Sequence, residues 1–363
     1  MAAPGDVGAD LSAPPPVDAE TLEHFVGRVL RAVGLPDGDA DKVARLIVTA
    51  DLQGADGHGV FRLPQYVRRI RAGGINVRPR IQVVRQSGAT ALVDGDNGMG
   101  HLAVSFAAER AIEIATETGI AWVGVRRGNH AGPASLYAAM PVEQDQIGIY
   151  FAIGNANHLA PWGGVEPLLS TNPIAIAVPA GECPPVVLDM ATSVVSFGTI
   201  KRYAKRNEPM PPGWMIDKRG EPLLDPTRAD EGLLLPLGGY KGYGLSLMIT
   251  FLAGVLNGAA FGRDVVDFNR DDVTPTNTGQ AIAAIDIAHF REPGSFKAAV
   301  DEFVTELARS RTLPNVRAVR VPGERTHRTF KQRSREGIPL SAALRSELDE
   351  LAGSLGLERL PAA

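Results

Sequence analysis

Residues 54–66 read GADGHGVFRLPQY. His58 stands between two glycines, Arg62 follows four residues later, and Tyr66 four after that. An apolar, helix-like segment runs into the stretch and a second helix runs out of it. Residues 18–33 carry Leu22, Phe25, Val26, Val29 and Leu30 at the spacing of one helical face. Residues 40–52 repeat the pattern with Val43, Leu46, Ile47 and Ala50, and Asp39 stands where a cap belongs. Gly54, Gly57 and Gly59 break this helix, Pro64 suits the first turn of the next, and Gly73-Gly74 ends it near Ala72. His58 and Arg62 would share a face if the segment were continuous helix, but a helix start falls between them.

From Arg80 onward the pattern changes. Residues 81–85 and 90–94 read as strands about a Ser-Gly turn, and 95–100 as a glycine-rich loop. An alanine-dense helix over 101–118 precedes an apolar strand over 120–125 and the polar loop 126–130. A helix over 132–140 comes next, then strands over 148–153, 173–178 and 186–189. Residues 201–238, rich in Pro and Arg, read as a surface excursion, and 238–258 as a glycine-led buried helix. Beyond it lie a strand (281–287), a helix (295–309), a strand (316–321) and a final helix (341–355) capped by Ser341. Interleaved strands and helices predict an α/β fold, a mixed sheet covered by helices.

Composition narrows the function class. A chain of 363 residues can bury a large core, and a net charge of -4 argues against a general nucleic-acid binder. The single cysteine, Cys183, excludes an internal disulfide framework and fits the cytoplasm; it reads as an inert loop cysteine. Residues 1–16 are rich in Ala, Pro and Gly, lack a basic start with an apolar core, and read as a disordered tail rather than a secretory signal. The longest apolar run is broken by Gly254, Asn257 and Gly258, too short for a membrane span.

Several stretches carry chemistry, each beside a plainer alternative. A proton donor such as His58 next to a carboxylate-binding cation such as Arg62 is what reduction of a 2-oxo acid needs; a lone histidine among glycines is otherwise structural. Gly128-Asn129-His130-Ala131-Gly132 comes after a strand and before a helix, where α/β proteins hold ligands, or else forms a capped turn. Thr171 and Asn172 offer hydrogen bonds to an oxo acid, although Asn-Pro is also an ordinary turn. Asp189 ends an apolar strand and could face a ligand crevice or cap the residues after it. Lys241 among glycines at a helix start suits a phosphate, but the spacing is not that of a P-loop, and 95–100 lacks the dinucleotide fingerprint of a Rossmann fold. His58, His130, His158 and Asp189 have no short metal-ligand spacing, so no metal is expected.

Taken together, GADGHGVFRLPQY (54–66), GNHAG (128–132), APWGG (160–164), STNPIAIAVP (170–179), VLDMATS (187–193), PLGGYKGYGLSLM (236–248) and VPGER (321–325) resemble the malate/L-lactate dehydrogenase family that is distinct from the Rossmann-type enzymes. It includes L-sulfolactate, ureidoglycolate and 2,3-diketo-L-gulonate enzymes and Δ1-piperideine-2-carboxylate reductase. The resemblance covers about residues 20–330 and implies an L-sulfolactate dehydrogenase-like fold with a helical lobe from the N- and C-terminal segments. It divides the chain into the tail (1–16), an N-terminal helical segment with His58 and Arg62 (17–78), an NAD(P)-binding α/β domain (79–312) and a C-terminal segment (313–363) packing back on the N-terminal lobe.

The resemblance further implies an oxidoreductase using NAD or NADP on a small 2-oxo or 2-hydroxy acid, acting as a cytoplasmic homodimer without nucleic-acid or membrane partners. His58 becomes the proton donor, with His130 and Asp189 as further catalytic candidates. Arg62, Tyr66 and Thr171 fall on the substrate side. His130, Asp189, Met190, Ala191, Lys241, Gly323, Glu324 and Arg325 line the cofactor site. Alternatives are a cyclic imine reductase, or a catalytically weakened relative that binds the cofactor. The last is motivated by Gly57, which stands where family members carry a serine before the histidine. Two further departures are Gly128 in place of serine and Ser170 in place of glycine.

Overall fold

The computed structural model describes residues 14–361, so most of the expected tail lies outside the described residues. In chain order the α-helices are α1 (Ala19–Ala32), α2 (Asp37–Leu52), α3 (Leu63–Arg71), α4 (Gly100–Thr118), α5 (Ser135–Ala138), α6 (Phe197–Arg206), α7 (Tyr240–Ile249), α8 (Pro293–Arg309), α9 (Glu324–Glu336) and α10 (Ala342–Ser354). The strands are β1 (Gln82–Ser87), β2 (Thr90–Asp94), β3 (Ile120–Gly128), β4 (Gln146–Ala152), β5 (Ile174–Val178), β6 (Val186–Met190), β7 (Met215–Ile216), β8 (Leu233–Leu234) and β9 (Thr278–Asp286). Two compact units result: residues up to Val67 with those from Thr326 onward, and Arg68–Arg325.

The first unit is helical. Asp18 accepts a hydrogen bond from the Thr21 amide at 3.0 Å and starts α1, which buries Leu22, Phe25, Val26, Val29 and Leu30. Each such side chain contributes about 1.5–3 kcal/mol when fully buried. Helix α2 starts at Asp37, earlier than the sequence predicts. Pro36 sets its extended entry, no side chain caps it, and Asp37 and Asp39 both lie in the first turn, where negative charge meets the helix dipole. Asp39 is therefore not the cap. An antiparallel bridge between Val17 and Ile338 ties the N-terminal to the C-terminal segment within this unit.

The second unit is built on a seven-stranded mixed sheet in the order β1-β2-β3-β9-β4-β5-β6. Strands β2 and β3 are parallel, and the other neighbours are antiparallel. The central strand β9 is buried almost throughout, and its side chains are small because backbone lies close to it. A Cβ on Gly279 would stand 2.1 Å from the Ala253 carbonyl, and one on Gly124 in β3 would stand 2.0 Å from Asn257 Oδ1. The alanines of α4 are buried as well.

Five sequence expectations change here. Strand β3 runs to Gly128, so Arg126 and Arg127 belong to strand and not loop; both pair with Asp94, at 3.3 and 3.1 Å, and Arg127 also reaches Asp96. The helix expected over 132–140 shrinks to α5 and a 3-10 turn (Met140–Gln144), since Pro133 and Pro141 withhold ladder N–H groups. Residues 201–238 are no loose excursion: α6 and the β7–β8 pair close over Ile200, Met210, Met215, Leu223 and Leu234, all buried. Residues 316–321 form no strand, because they pair with no sheet edge and lie largely exposed. The apolar helix at 238–258 passes from α7 into a π-turn (Thr250–Gly254) and a 3-10 turn (Val255–Asn257), and it is buried on one face only. No helix among the described residues is long and apolar enough to cross a membrane.

Candidate functional site

In the first unit the stretch between α2 and α3 folds as two 3-10 turns, Asp56–His58 and Val60–Arg62, hinged at Gly59. His58 and Arg62 therefore do not share one α-helical face. They are brought together differently: Arg62 Nε donates to the Gly57 carbonyl at 2.9 Å, holding the guanidinium back over the turn that carries His58. Tyr66, fully buried one turn into α3, faces the same cation, and burial raises its phenol pKa.

The His58 side chain is exposed to solvent, although the protein packs densely around its base. Lost hydration first, and the Arg62 cation second, push its imidazole down to about 4. Water at the exposed face screens part of this effect. Arg62 is half-buried, and desolvation lowers its pKa also. The turn thus presents a neutral imidazole beside an incompletely hydrated cation, a setting that attracts an anion.

The sequence departures at 57, 128 and 170 have different physical status. A Cβ on Gly128 would stand 2.4 Å from Gln280 Oε1 and 2.8 Å from the Thr278 carbonyl, so its glycine is required by packing. Ser170 is buried, and its hydroxyl donates to Asn157 Oδ1 at 3.0 Å. Gly57 has neither kind of compensation: no atom stands within 4 Å of its virtual Cβ, and its φ is not in the left-handed region.

In the second unit His130 sits half-buried at the end of β3, its ring 5.3 Å from that of Phe268. Asn129 beneath it is fully buried; its Nδ2 donates to the carbonyls of Asn97 and Gly98, and its Oδ1 accepts from Thr276 Oγ1. Gln280 Nε2 donates to the Asn129 carbonyl at 2.9 Å. The tight fit continues to α4, where a Cβ on Gly100 would stand 2.1 Å from the Asn129 carbonyl. Gly100 thus serves close backbone approach to the His130 loop, whereas Gly98 makes room for the Pro79 ring. Sequence reading missed this polar support, because Thr276 and Gln280 are about 150 residues away from Asn129 and form no local motif.

Asp189 lies one residue before the end of β6, and its Oδ2 accepts the Ser135 amide at 2.8 Å. It caps α5 from another strand, so it is not a cap for the residues after it. Asp189 is exposed on its outer side, while desolvation by the protein around its carboxyl raises its pKa against the two bonds from Ser135 that lower it. Met190 pairs with Ile174 at the strand end, with Ala191 next in the chain. The Thr192 amide donates to the Thr171 carbonyl at 2.9 Å, and the Leu237 amide to the Thr192 carbonyl at 2.8 Å, so Thr171, Ala191 and the start of α7 converge. Gly238 and Gly239 have left-handed φ, no side chain caps α7, and Lys241 is exposed in its first turn. Gly323, also left-handed, lies against β6: a Cβ there would stand 2.9 Å from the Val187 amide. Glu324 and Arg325 open α9 and are exposed.

Asn172, by contrast, is spent on structure: it accepts from the Gly154 amide and donates to Ser246 and Thr250, leaving Thr171 as the substrate-side candidate of that pair. A cavity of about 300 Å³ between Asn76, Asp96, Asn97, Arg127, Pro275 and Asn277 contains none of the chemistry-bearing residues. Its arginine is already paired with Asp94 and Asp96, so the cavity is not the reacting centre. Among the described residues no group of three or more His, Cys, Asp or Glu stands together to hold a metal ion.

A mixed sheet covered by helices, in which only β2 and β3 are parallel neighbours, defines an α/β fold outside the doubly wound parallel class. The sequence matches the malate/L-lactate dehydrogenase family over residues 17–349. It is 41% identical over 357 residues to a malate dehydrogenase of Pyrococcus abyssi (strain GE5 / Orsay), covering 95% of this chain and 96% of that one. A (2R)-3-sulfolactate dehydrogenase (NADP(+)) of Chromohalobacter salexigens is 33% identical over 341 residues, covering 93% and 97%. The structure of malate dehydrogenase from Pyrococcus horikoshii OT3 matches with a TM-score of 0.89 at 35% identity, covering 98% and 99%. The chain belongs to the malate/L-lactate dehydrogenase family, has its non-Rossmann fold, and is an oxidoreductase.

Proposed function

We propose that the protein catalyses reversible hydride transfer between NAD or NADP and a small 2-oxo or 2-hydroxy acid. The observation that carries this reading is the turn that joins an imidazole to a guanidinium through the Gly57 carbonyl. The planar fork of Arg62 suits a substrate carboxylate, with Tyr66 backing it and Thr171 as a further substrate contact. His58 gives a proton to the substrate oxygen in reduction and takes it back in oxidation. Desolvation is the larger cause of the low His58 pKa and Arg62 the smaller; a carboxylate on Arg62 offsets the second and favours uptake of the proton the reduction consumes.

The donor set of the second unit fits a nicotinamide dinucleotide. Lys241 and the uncapped start of α7 suit its phosphates. The Asp189 carboxyl suits hydroxyl or amide donors, and His130, Met190, Ala191, Gly323, Glu324 and Arg325 complete the lining. When bound, the nicotinamide supplies or receives the hydride at C4. His130 and Asp189 are the other candidates for proton transfer, and loss of activity on changing either of them but not His58 would reassign that role.

A panel of pyruvate, oxaloacetate, sulfopyruvate and Δ1-piperideine-2-carboxylate, each with NADH and NADPH, tests this reading. Turnover of a 2-oxo acid is expected; turnover of the cyclic imine alone would replace the substrate class. Tight cofactor binding with no turnover would favour a weakened relative, a reading that open space at Gly57 specifically supports. Gly57→Ser, which the backbone accommodates, would then raise the rate.

The working form we propose is a cytoplasmic homodimer. Met248, Phe251, Val255 and Leu256 expose an apolar stripe along α7 and its continuation, each between 45% and 63% accessible. Sedimentation should give twice the chain mass, and Phe251→Glu should shift it toward one chain. A wild-type monomer at micromolar concentration would refute the dimer. The net charge of -4 supports a small-molecule partner over nucleic acid, and the single cysteine supports a reducing compartment.

A further inference from the structure

One acid beneath the His58 turn has no part in the reaction as proposed. Asp51 lies in the last turn of α2 and is only 2% exposed. Its Oδ2 accepts the Val60 amide at 2.7 Å, across the turn that holds His58. A Cβ on Gly59 would stand 2.0 Å from Oδ1, so glycine at 59 is what lets the carboxyl lie against the turn. On the other side Arg333, from α9, donates through Nη1 to the Asp51 carbonyl at 2.5 Å. The same guanidinium pairs with the Asp56 carboxylate, at the start of the first 3-10 turn. Both turns are thus pinned from below, at 51, 56 and 60, by one buried carboxyl and one arginine. The sequence carries a sign of it: positions 40, 44, 47 and 51 share the buried stripe of α2, and the last is an acid.

We propose that Asp51, backed by Arg333, is the positioning residue that fixes where His58 and Arg62 stand relative to a bound substrate. The inference rests on the reading of His58 and Arg62 as the substrate end of the site. A buried carboxyl so placed is also sensitive to pH. Desolvation outweighs the Val60 bond and pushes its pKa up to about 8. The charged groups facing it are Asp56 from the first 3-10 turn, which adds to the rise, and Arg333 from α9, which opposes it. Near neutrality Asp51 is a neutral acid. As pH rises from about 4 toward about 8 the stability that its protonated form gives is progressively lost, and above about 8 it is an anion whose bond from the Val60 amide is stronger.

The test uses the full chain with Asp51→Asn and Asp51→Leu. Asparagine keeps an acceptor for the Val60 amide and mimics the neutral acid. It should hold kcat and KM within about threefold near neutrality, and it should lose the wild-type change in the Val60 amide resonance near pH 8. Leucine removes the acceptor. It should raise KM for the 2-oxo acid about tenfold or more and shift the His58 ring resonances, with NAD(P)H affinity unchanged. Wild-type KM and unmoved His58 and Val60 resonances in Asp51→Leu would overturn the proposal. If that variant does not fold, Arg333→Gln decides: wild-type KM with unmoved His58 and Val60 resonances overturns it, and a raised KM with shifted resonances supports it. The resonances report positioning even if the wild-type protein reduces no 2-oxo acid, in which case the functional reading fails and the positioning role is judged separately.

Discussion

Replacing His58 with alanine lowers kcat for 2-oxo acid reduction by about 10²–10⁴-fold, the usual worth of a positioned proton donor, and leaves NAD(P)H binding near the wild-type level. His58 is not among the residues proposed to hold the cofactor. His58 belongs to the helical first unit, whereas the residues proposed for the cofactor belong to the second. The pH dependence has a definite sign. With its pKa pushed below the ordinary histidine value, His58 is neutral in the free protein near pH 7. In oxidation the neutral ring is already the base, so kcat/KM should hold as pH falls from 7 and drop only on approaching about 4. In reduction the ring must first take a proton, so kcat/KM should fall as pH rises, by up to about tenfold per unit. His58→Ala should abolish both dependences. Near wild-type turnover in that variant would remove His58 from the chemistry.

Arg62→Ala gives the second large effect, expected in kcat/KM more than in cofactor affinity. Truncating one partner of a desolvated charge pair costs about 2–5 kcal/mol, roughly 30- to 5,000-fold in kcat/KM. Arg62 is half-buried rather than enclosed, which places the expectation in the lower part of that range. Desolvation, the larger cause of the low His58 pKa, stays in the variant while the smaller one, the Arg62 cation, goes, so the imidazole pKa should rise only part of the way as substrate binding weakens. Arg62→Lys keeps the charge and loses the fork and the Nε bond to Gly57, and should recover only part of the loss. Both effects are read from initial rates and from a histidine titration of the free protein. Unchanged KM in Arg62→Ala would mean that the substrate carboxylate is held elsewhere.

Local patterns in the chain reveal what depends on neighbours in sequence. The stripes of α1 and α2, the Ser-Gly hairpin of β1–β2 and the Ser341 cap of α10 all arise from spacing and turn chemistry within a few residues. The His58–Arg62 pair is visible as residue types, but not in its geometry. The bond from Arg62 Nε to Gly57 depends on two 3-10 turns that no periodicity marks. Long-range packing explains the misses. Arg126 and Arg127 look like loop cations until Asp94, on the adjacent strand, pairs with them. Asp189 looks like a cap for its own strand end until the Ser135 amide arrives from 54 residues earlier. Asn172 looks like a ligand contact until Ser246 and Thr250 claim its amide. Gly57 is the instructive opposite. Gly128 is enforced by Gln280, while nothing around position 57 demands glycine. Its departure from the family pattern has no packing reason.

The central claim is that hydride moves between nicotinamide C4 and substrate C2 while this chain handles the proton. The most direct measurement is transfer of deuterium from C4-deuterated NADH or NADPH to a 2-oxo acid, with the product read by mass spectrometry and NMR. One deuterium is expected at C2 of a 2-hydroxy acid, with a single configuration and with release of oxidised cofactor in equal amount. Unlabelled product, or no turnover of any 2-oxo acid with either cofactor in the wild type and in Gly57→Ser, would contradict it.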